Sequence, residues 1–431
     1  MLAILTPIRI YLIMSRNLCF LLALLLFATT IKFFSKQIRY PSLIIYSLSY
    51  DQAFLKSSPR ELALFIREKR FSKYFDTSKV LWEVRSWSPR RIITPGFTYD
   101  TSLYLFTRCN SWKSIFLTAR KIINLKALST IFKQGHLKDV YIEGFQKLVW
   151  NVTCQELTHR VQLVATQSNH EVLPHSFEEK YAQNTFRIMI WYSINSQGIT
   201  RDFTSPEGIP LAALKGKIDQ QLVWTETHST LLKNQGLGQI DVVGSCLFQT
   251  NSKVTAKRKN INELSVLFFD VNPVTDKISK KLGSHLEFQE SLYDYDFCSR
   301  QLLDSISVLT SFSQSVSRSL KVTLKPKRRV GSQALNYNMR YIRLLRDLEI
   351  SDSCFSILSP NANLYSIIKN ADLVLGPVYT SPIFVARELG VPSCYLAFHA
   401  DGWRIKKSLD SIPVLFSAEE LQEFLNQTFL H

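Results

Sequence analysis

From Arg160 onward the chain alternates short apolar runs with amphipathic stretches of helical length. Val161 to Ala165, Phe186 to Tyr192, Gln221 to Trp224 and Ile240 to Val243 read as strands: each is brief, rich in aliphatic and aromatic side chains, and bounded by polar residues. Glu226 to Asn234 reads as a helix between the last two. Asn251 to Glu263 carries Lys253, Lys257, Arg258 and Lys259 with no apolar period, and reads as a linker. The alternation then restarts. Leu264 to Phe269, Leu320 to Leu324, Phe355 to Leu358, Leu373 to Leu375, Ser393 to Leu396 and Val414 to Phe416 are predicted strands. Asp296 to Phe312, Ser332 to Leu348, Leu364 to Lys369, a stretch ending at Leu389, and Ala418 to Phe429 are the helices between and after them. Two successive βα series predict an α/β protein with two Rossmann-like parallel-sheet domains facing across a cleft. The expected boundaries are 151–250, a linker 251–263, and 264–431.

The region before these series is different. Ser58 to Phe75 spaces Leu62, Leu64, Phe65 and Phe71 as a helix would, and the stretch up to Trp150 is mixed and basic with no recognisable chemistry. Residues 41–150 are therefore expected to form an extension packing on the first domain. Leu18 to Ile31 is an uncharged, Leu-rich run between Arg16 and Lys32. It is shorter than the roughly 20 residues of a spanning helix. Ala28-Thr29-Thr30 is a weak cleavage site for a signal peptide. Residues 1–40 are expected to associate with an anionic membrane surface as an interfacial helix or tilted anchor, the alternative being a helix buried in an extra N-terminal layer.

Charge supports the membrane reading. The formal net charge is +17, and residues 1–50 hold Arg9, Arg16, Lys32, Lys36 and Arg39 with no acidic residue. Nucleic acid is not the expected partner, because the aromatic residues sit in apolar runs and do not alternate with cations as a base-stacking platform requires. The seven cysteines are scattered with no CxxC pair, which argues against a zinc ribbon and suits thiols in a reducing cytosol. The expected location is the cytoplasmic face of the inner membrane, or the cytoplasm.

Candidate chemistry gathers at the ends of the predicted strands of the second series. Asp372-Leu373-Val374-Leu375 runs into a Gly376-Pro377 turn, then Thr380, Ser381 and Pro382 open a helix that stops at Gly390. Thr380 and Ser381 are expected at the N-cap and Pro382 at the first helical position. Free backbone N–H groups, the helix dipole and two hydroxyls make such an opening an anion site. Lys325-Pro326-Lys327-Arg328-Arg329 follows another strand of the same series, and could neutralise phosphate at that edge. The loop Ser359 to Asn363 offers Asn361, either to a nucleotide base or as a helix cap. A base for deprotonating a hydroxyl would come from His170, Glu171, Glu226 or Asp270, with Asn195 and His228 as further strand-end groups. Asp294-Tyr295-Asp296 has the form of a metal-binding DxD, but follows no strand core and is expected to start a helix, so no metal site is assigned. Gly236-Leu237-Gly238 lacks the third glycine of a dinucleotide fingerprint.

The segment 370–393 resembles the signature of the polysaccharide-biosynthesis PFTS-motif family, which comprises glycosyltransferase-like proteins of bacterial surface-carbohydrate pathways. In that family a strand "DLVI" leads into Pro-Phe-Thr-Ser, a helix, and an "LG-P-S" return. Here the strand is Asp372 to Leu375 and the return Leu389-Gly390-Val391-Pro392-Ser393; Thr380 and Ser381 match, and Val378 and Tyr379 replace Pro and Phe. The resemblance implies a GT-B-type architecture, a nucleotide-sugar donor with no tightly bound cofactor, and a surface polysaccharide or lipid-linked glycan as acceptor. It also implies that Lys325, Lys327 and Arg328 grip the donor phosphates together with Gly376, Thr380 and Ser381. A sugar-nucleotide epimerase of the same architecture and a non-catalytic scaffold of the polysaccharide machinery are the alternatives.

Overall fold

The computed structural model describes residues 43–47, 69–75, 80–84, 111, 114, 150–157, 159–167, 177–191, 216–245, 260–271, 273, 294–326, 338–360, 362–378, 380–400 and 405–430. The chain divides into two compact units. One comprises residues 1–166, 171–190 and 214–221, and the other residues 167–170, 191–213 and 222–431.

Leu43–Ser47 (β1), Val80–Val84 (β2), Val161–Gln167 (β3), Thr185–Trp191 (β4), Gln220–Val223 (β5) and Gln239–Val242 (β6) form a six-stranded sheet in the order β2-β1-β3-β4-β5-β6. β1 is parallel to both β2 and β3. Two strands of this sheet thus come from the segment set apart in the sequence as an extension. They are single short apolar runs, Leu-Ile-Ile-Tyr-Ser and Val-Leu-Trp-Glu-Val, with no repeating βα rhythm around them to mark them. Between β1 and β2 a short helix, Lys69–Ser72 (α1), buries Phe71. Glu226–Asn234 (α2) follows β5, and Thr225 caps it by accepting a hydrogen bond from the His228 backbone at 3.0 Å.

The second sheet gathers Glu263–Phe269 (β7), Ser319–Lys325 (β8), Phe355–Ile357 (β9), Leu373–Pro377 (β10), Ser393–Leu396 (β11), Ser408–Leu409 (β12) and Ile412–Leu415 (β13). Its order is β12-β13-β11-β10-β7-β8-β9; among these described strands only the β12–β13 pair is antiparallel. Counting from β7, the parallel strands lie in the order 3-2-1-4-5-6 of a doubly wound dinucleotide-binding sheet, with its reversal between β7 and β10. Every residue of β10 and β11 is buried, as expected of a parallel sheet covered on both faces. The predicted α/β class with two parallel sheets is what the chain adopts.

The covering helices are Tyr295–Ser315 (α3), Met339–Ser351 (α4), Leu364–Lys369 (α5), Ser381–Glu388 (α6) and Ala418–Phe429 (α7). Side-chain caps set most of their starts. Asp294 accepts from the Phe297 amide at 2.8 Å, Asn338 from Arg340, and Asn363 from Ser366. Ser417 caps α7, and Glu420 in its first turn reaches back to the Phe416 amide at 2.6 Å. Asn338 therefore starts α4 later than the predicted Ser332, its extended backbone being incompatible with a helix running through it. Residues 332–337 lie outside the described residues. α3 and α7 pack through Phe312 and Phe429, whose ring centroids are 6.0 Å apart.

Among the described residues no helix is long and apolar enough to cross a membrane, and the Leu18–Ile31 run lies outside them. Cys154, Cys298, Cys354 and Cys394 are free thiols, the second and fourth fully buried. Burial pushes all four pKa values up, Cys154 and Cys354 to about 12, which disfavours the thiolate form.

Candidate functional site

Three neighbouring strands bring the sequence-predicted groups to one sheet edge. Asp270 directly follows β7, β8 ends at Lys325, and β10 leads into the turn that opens α6. The order β10-β7-β8 makes Asp270 the middle of the three. In open α/β sheets the crevice at this edge and at the strand-order reversal is where ligands bind.

The turn after β10 is tight because Gly376 has no side chain. A Cβ there would meet Ile383 Cδ1 at 3.0 Å, Thr380 Oγ1 at 3.1 Å and Phe269 Cβ at 3.3 Å. Close approach of α6 to the ends of β7 and β10 thus requires glycine. Thr380 occupies the N-cap position but does not cap: its hydroxyl donates to the Pro377 carbonyl at 2.8 Å, where its backbone amide also donates. Ser381, not Pro382, is the first helical residue, and Pro382 takes the second position, where its missing N–H is equally unneeded. The Thr380 hydroxyl thus serves the turn. Tyr379 lies outside the described residues.

Lys325 Nζ donates to the Pro360 carbonyl at 3.2 Å, which draws the β8 end toward the loop after β9. Asn361 and the cations Lys327 and Arg328 lie outside the described residues. The capping role open to Asn361 belongs to Asn363.

Asp270, one of the candidate bases, is not open to solvent. It is 5 % exposed, covered by α4, whose Tyr341 hydroxyl donates to Asp270 Oδ1 at 3.1 Å. Its Oδ2 is buried with no hydrogen-bond partner. Burial pushes the carboxyl up to about 8, against the opposing pull of the Tyr341 and Val271 hydrogen bonds. Burial thus disfavours its charged form.

The other base candidates do not join it. Glu226 is exposed in the first turn of α2, where a carboxylate favours the helix N-terminus. His228, on the same helix, is buried edge-on to Trp191 with ring centroids 4.8 Å apart, and burial lowers its pKa to about 3. It is a neutral core residue. His170 and Glu171 lie outside the described residues. Asp294 of the DxD-like triplet spends its carboxylate on the α3 cap.

Sequence reading missed the bracing of α6. Its Phe384 packs on Trp224 with centroids 5.9 Å apart, and Glu388 accepts from the Ser245 amide at 3.1 Å. Its Arg387 donates to the Asp410 carbonyl, while Thr227 of α2 donates to Asp410 Oδ1 at 2.6 Å. None of these pairs is close in sequence, so no local spacing reveals them. A depression of about 400 Å³ lined by Arg387, Gly390, Pro392, Ile412 and Phe424 opens at the starts of β11 and β13. That is the opposite edge from Ser381 and Lys325, so the cavity and the candidate chemistry do not coincide.

The chain is similar to several solved structures. The wall teichoic acid polymerase TagF aligns at 12% identity over 91% of this chain and 84% of its own, with a TM-score of 0.42. The E. coli trehalose-6-phosphate structure bound with UDP-2-fluoro glucose aligns at 11% identity over 90% of each chain, with a TM-score of 0.44. Trehalose-6-phosphate synthase OtsA gives 11% identity, 90% coverage of each chain and a TM-score of 0.41. No curated protein matches in sequence. The family model for the polysaccharide biosynthesis PFTS motif proteins matches residues 142–425, which take in both parallel-sheet series and the Thr380-Ser381 turn. With well over half its length matched, the chain belongs to the polysaccharide biosynthesis PFTS motif family.

Proposed function

We propose that this protein is a glycosyltransferase that moves a sugar from a nucleotide-sugar donor to a surface polysaccharide or lipid-linked glycan. The observation that carries the reading is the strand order: Ser381 after β10 and Lys325 at the end of β8 flank the strand at which a doubly wound sheet reverses. Family membership supplies the pathway class.

In this reading the donor diphosphate lies at the opening of α6, against its backbone N–H groups and the Ser381 hydroxyl, with Gly376 giving room for close approach. Lys325, Lys327 and Arg328 neutralise the departing nucleotide, and Asn361 meets its base. Such preorganised positive charge stabilises the leaving group without a metal. Thr380 acts by holding the turn. The acceptor hydroxyl is deprotonated by one of His170, Glu171, Glu226 and Asp270; a carboxyl poised near neutrality, as at Asp270, suits a base, but its cover by α4 must open for it to reach a substrate. The domains proposed are 151–250 on the acceptor side and 264–431 on the donor side, joined by 251–263, with 41–150 adding to the first and 1–40 holding the protein at the membrane.

The test is a thermal-shift panel with UDP, GDP, CMP, dTDP and their sugar conjugates, on wild type, Ser381→Ala and Lys327→Ala. One nucleotide class should stabilise wild type selectively, and both variants should lose most of that shift while melting normally alone. A shift that survives both substitutions defeats the site. No shift with any nucleotide favours the scaffold reading.

A further inference from the structure

Helix α4 is buried along one side only. Tyr341, Ile342 and Leu345 face the core, whereas Met339 is 67% and Ile350 85% exposed. Arg343 and Arg346 are exposed between them. At 3.6 residues per turn, positions 339, 343, 346 and 350 fall within about 60° of one another, in a stripe about 16 Å long. Two large apolar side chains therefore stand in line with two arginines on the solvent side of one helix. Arg340 lies at the edge of this stripe, stacked over the Tyr295 ring at 4.0 Å. On α4 itself, Asp347 is the acidic residue nearest the stripe; the carboxylate of Glu349 accepts from the Ile357 amide at 3.1 Å.

Single exposed apolar residues are ordinary. Alignment with arginines is what distinguishes this face, since that pattern is the one that lies flat at a lipid interface: apolar tips enter the headgroup boundary while arginine stems lie along it and their heads meet phosphate. The chain's net charge of +17 gives the same preference for an anionic surface. We propose that the outer face of α4 is a membrane-contact surface, lying along an anionic lipid bilayer with Met339 and Ile350 inserted and Arg343 and Arg346 on lipid phosphates. The inference does not depend on the donor site proposed above. It adds a second contact, in the C-terminal half of the chain, to that expected of residues 1–40.

Co-sedimentation of the full-length protein with vesicles tests it, comparing phosphatidylcholine alone with phosphatidylcholine plus phosphatidylglycerol. Wild type should bind the anionic vesicles. Arg343→Glu/Arg346→Glu should bind them more weakly by at least about thirty-fold, since each arginine lost from an anionic surface is worth about fivefold and each added glutamate is repelled. Arg343→Lys/Arg346→Lys should retain binding, and Ile350→Asp should weaken it; all positions are exposed, so circular dichroism and melting should not change. Unaltered binding of the Glu pair overturns the proposal and leaves residues 1–40 as the whole contact. Equal binding to neutral vesicles also overturns it. So does a concentration-dependent dimer, by analytical ultracentrifugation, that Ile350→Asp dissociates, because a second copy would then cover the face. Nucleotide-induced shifts in the Glu pair should equal those of wild type, which keeps this test separate from that of the donor site.

Discussion

The Tyr341 hydroxyl donates to Asp270 Oδ1 at 3.1 Å, joining the buried side of α4 to the residue that follows β7 in the second sheet. The bond does not offset the burial of the carboxyl, whose pKa is pushed up to about 8 from its ordinary value of 3.8. Below pH 4 the group is protonated whether folded or unfolded and has no effect on stability. Between about 4 and 8 the unfolded chain releases the proton that the folded chain keeps, so wild type loses stability as pH rises through that window. Asp270→Asn keeps an acceptor for Tyr341 and removes the titration. Its melting temperature should match wild type near pH 4 and exceed it by an amount worth a few kcal/mol near pH 8. Parallel melting curves at all pH values would show that Asp270 is not buried as described.

Gly376→Ala should be disproportionately damaging for the addition of one methyl group. The new Cβ would press on Ile383, Thr380 and Phe269 at 3.0 to 3.3 Å, and two of those contacts belong to the packed core. Overpacking of this kind costs roughly 1–3 kcal/mol. Because the strain falls on the turn that opens α6, nucleotide affinity should fall with the melting temperature, as calorimetry would measure.

Thr380 and Ser381 should separate cleanly despite being adjacent. The Thr380 hydroxyl is committed to the Pro377 carbonyl, so Thr380→Val should cost about 1 kcal/mol of stability and leave nucleotide affinity within a few-fold of wild type. Ser381→Ala should instead lower nucleotide affinity. Equal losses of affinity would mean that the Thr380 hydroxyl turns toward ligand when one binds.

Local signals carried the reading where the determinants were local. The strand Leu373 to Leu375, the Gly-Pro turn, the Ser381 helix start and the return at Ser393 are all written in consecutive residues. Asp294 as a cap was legible for the same reason. What escaped depends on distant partners. Nothing around Asp270 announces that Tyr341 will cover it, and nothing around His228 announces the Trp191 ring. A polar residue at a strand end looks reactive until the helix that buries it is in place. The strands β1 and β2 were missed because a lone apolar run between basic residues has no period to betray it.

In the first unit, Arg187 on β4 is 3% exposed and its guanidinium meets Asp219 through two nitrogens, Nη2 to Oδ1 at 2.8 Å and Nε to Oδ2 at 3.0 Å. The same guanidinium donates to the Phe177 and Gly216 carbonyls, so it ties two loops to the strand. Burial opposes ionisation of Asp219, yet its hydrogen bonds to Arg187 prevail and hold its pKa below the ordinary value. A carboxylate so depressed stabilises the fold at neutral pH and loses that contribution as pH falls through its folded pKa. Asp219→Ala strands a buried cation, at a cost of roughly 2–4 kcal/mol, less than for a fully enclosed pair because the Asp219 side chain is 22% exposed. Arg187→Met/Asp219→Leu removes both charges and should recover part of that loss, leaving the two loop carbonyls as the residual cost. Chemical denaturation of the two variants at neutral pH measures both. A double variant less stable than Asp219→Ala would mean that Arg187 stabilises chiefly through the Phe177 and Gly216 carbonyls, and not through its ion pair.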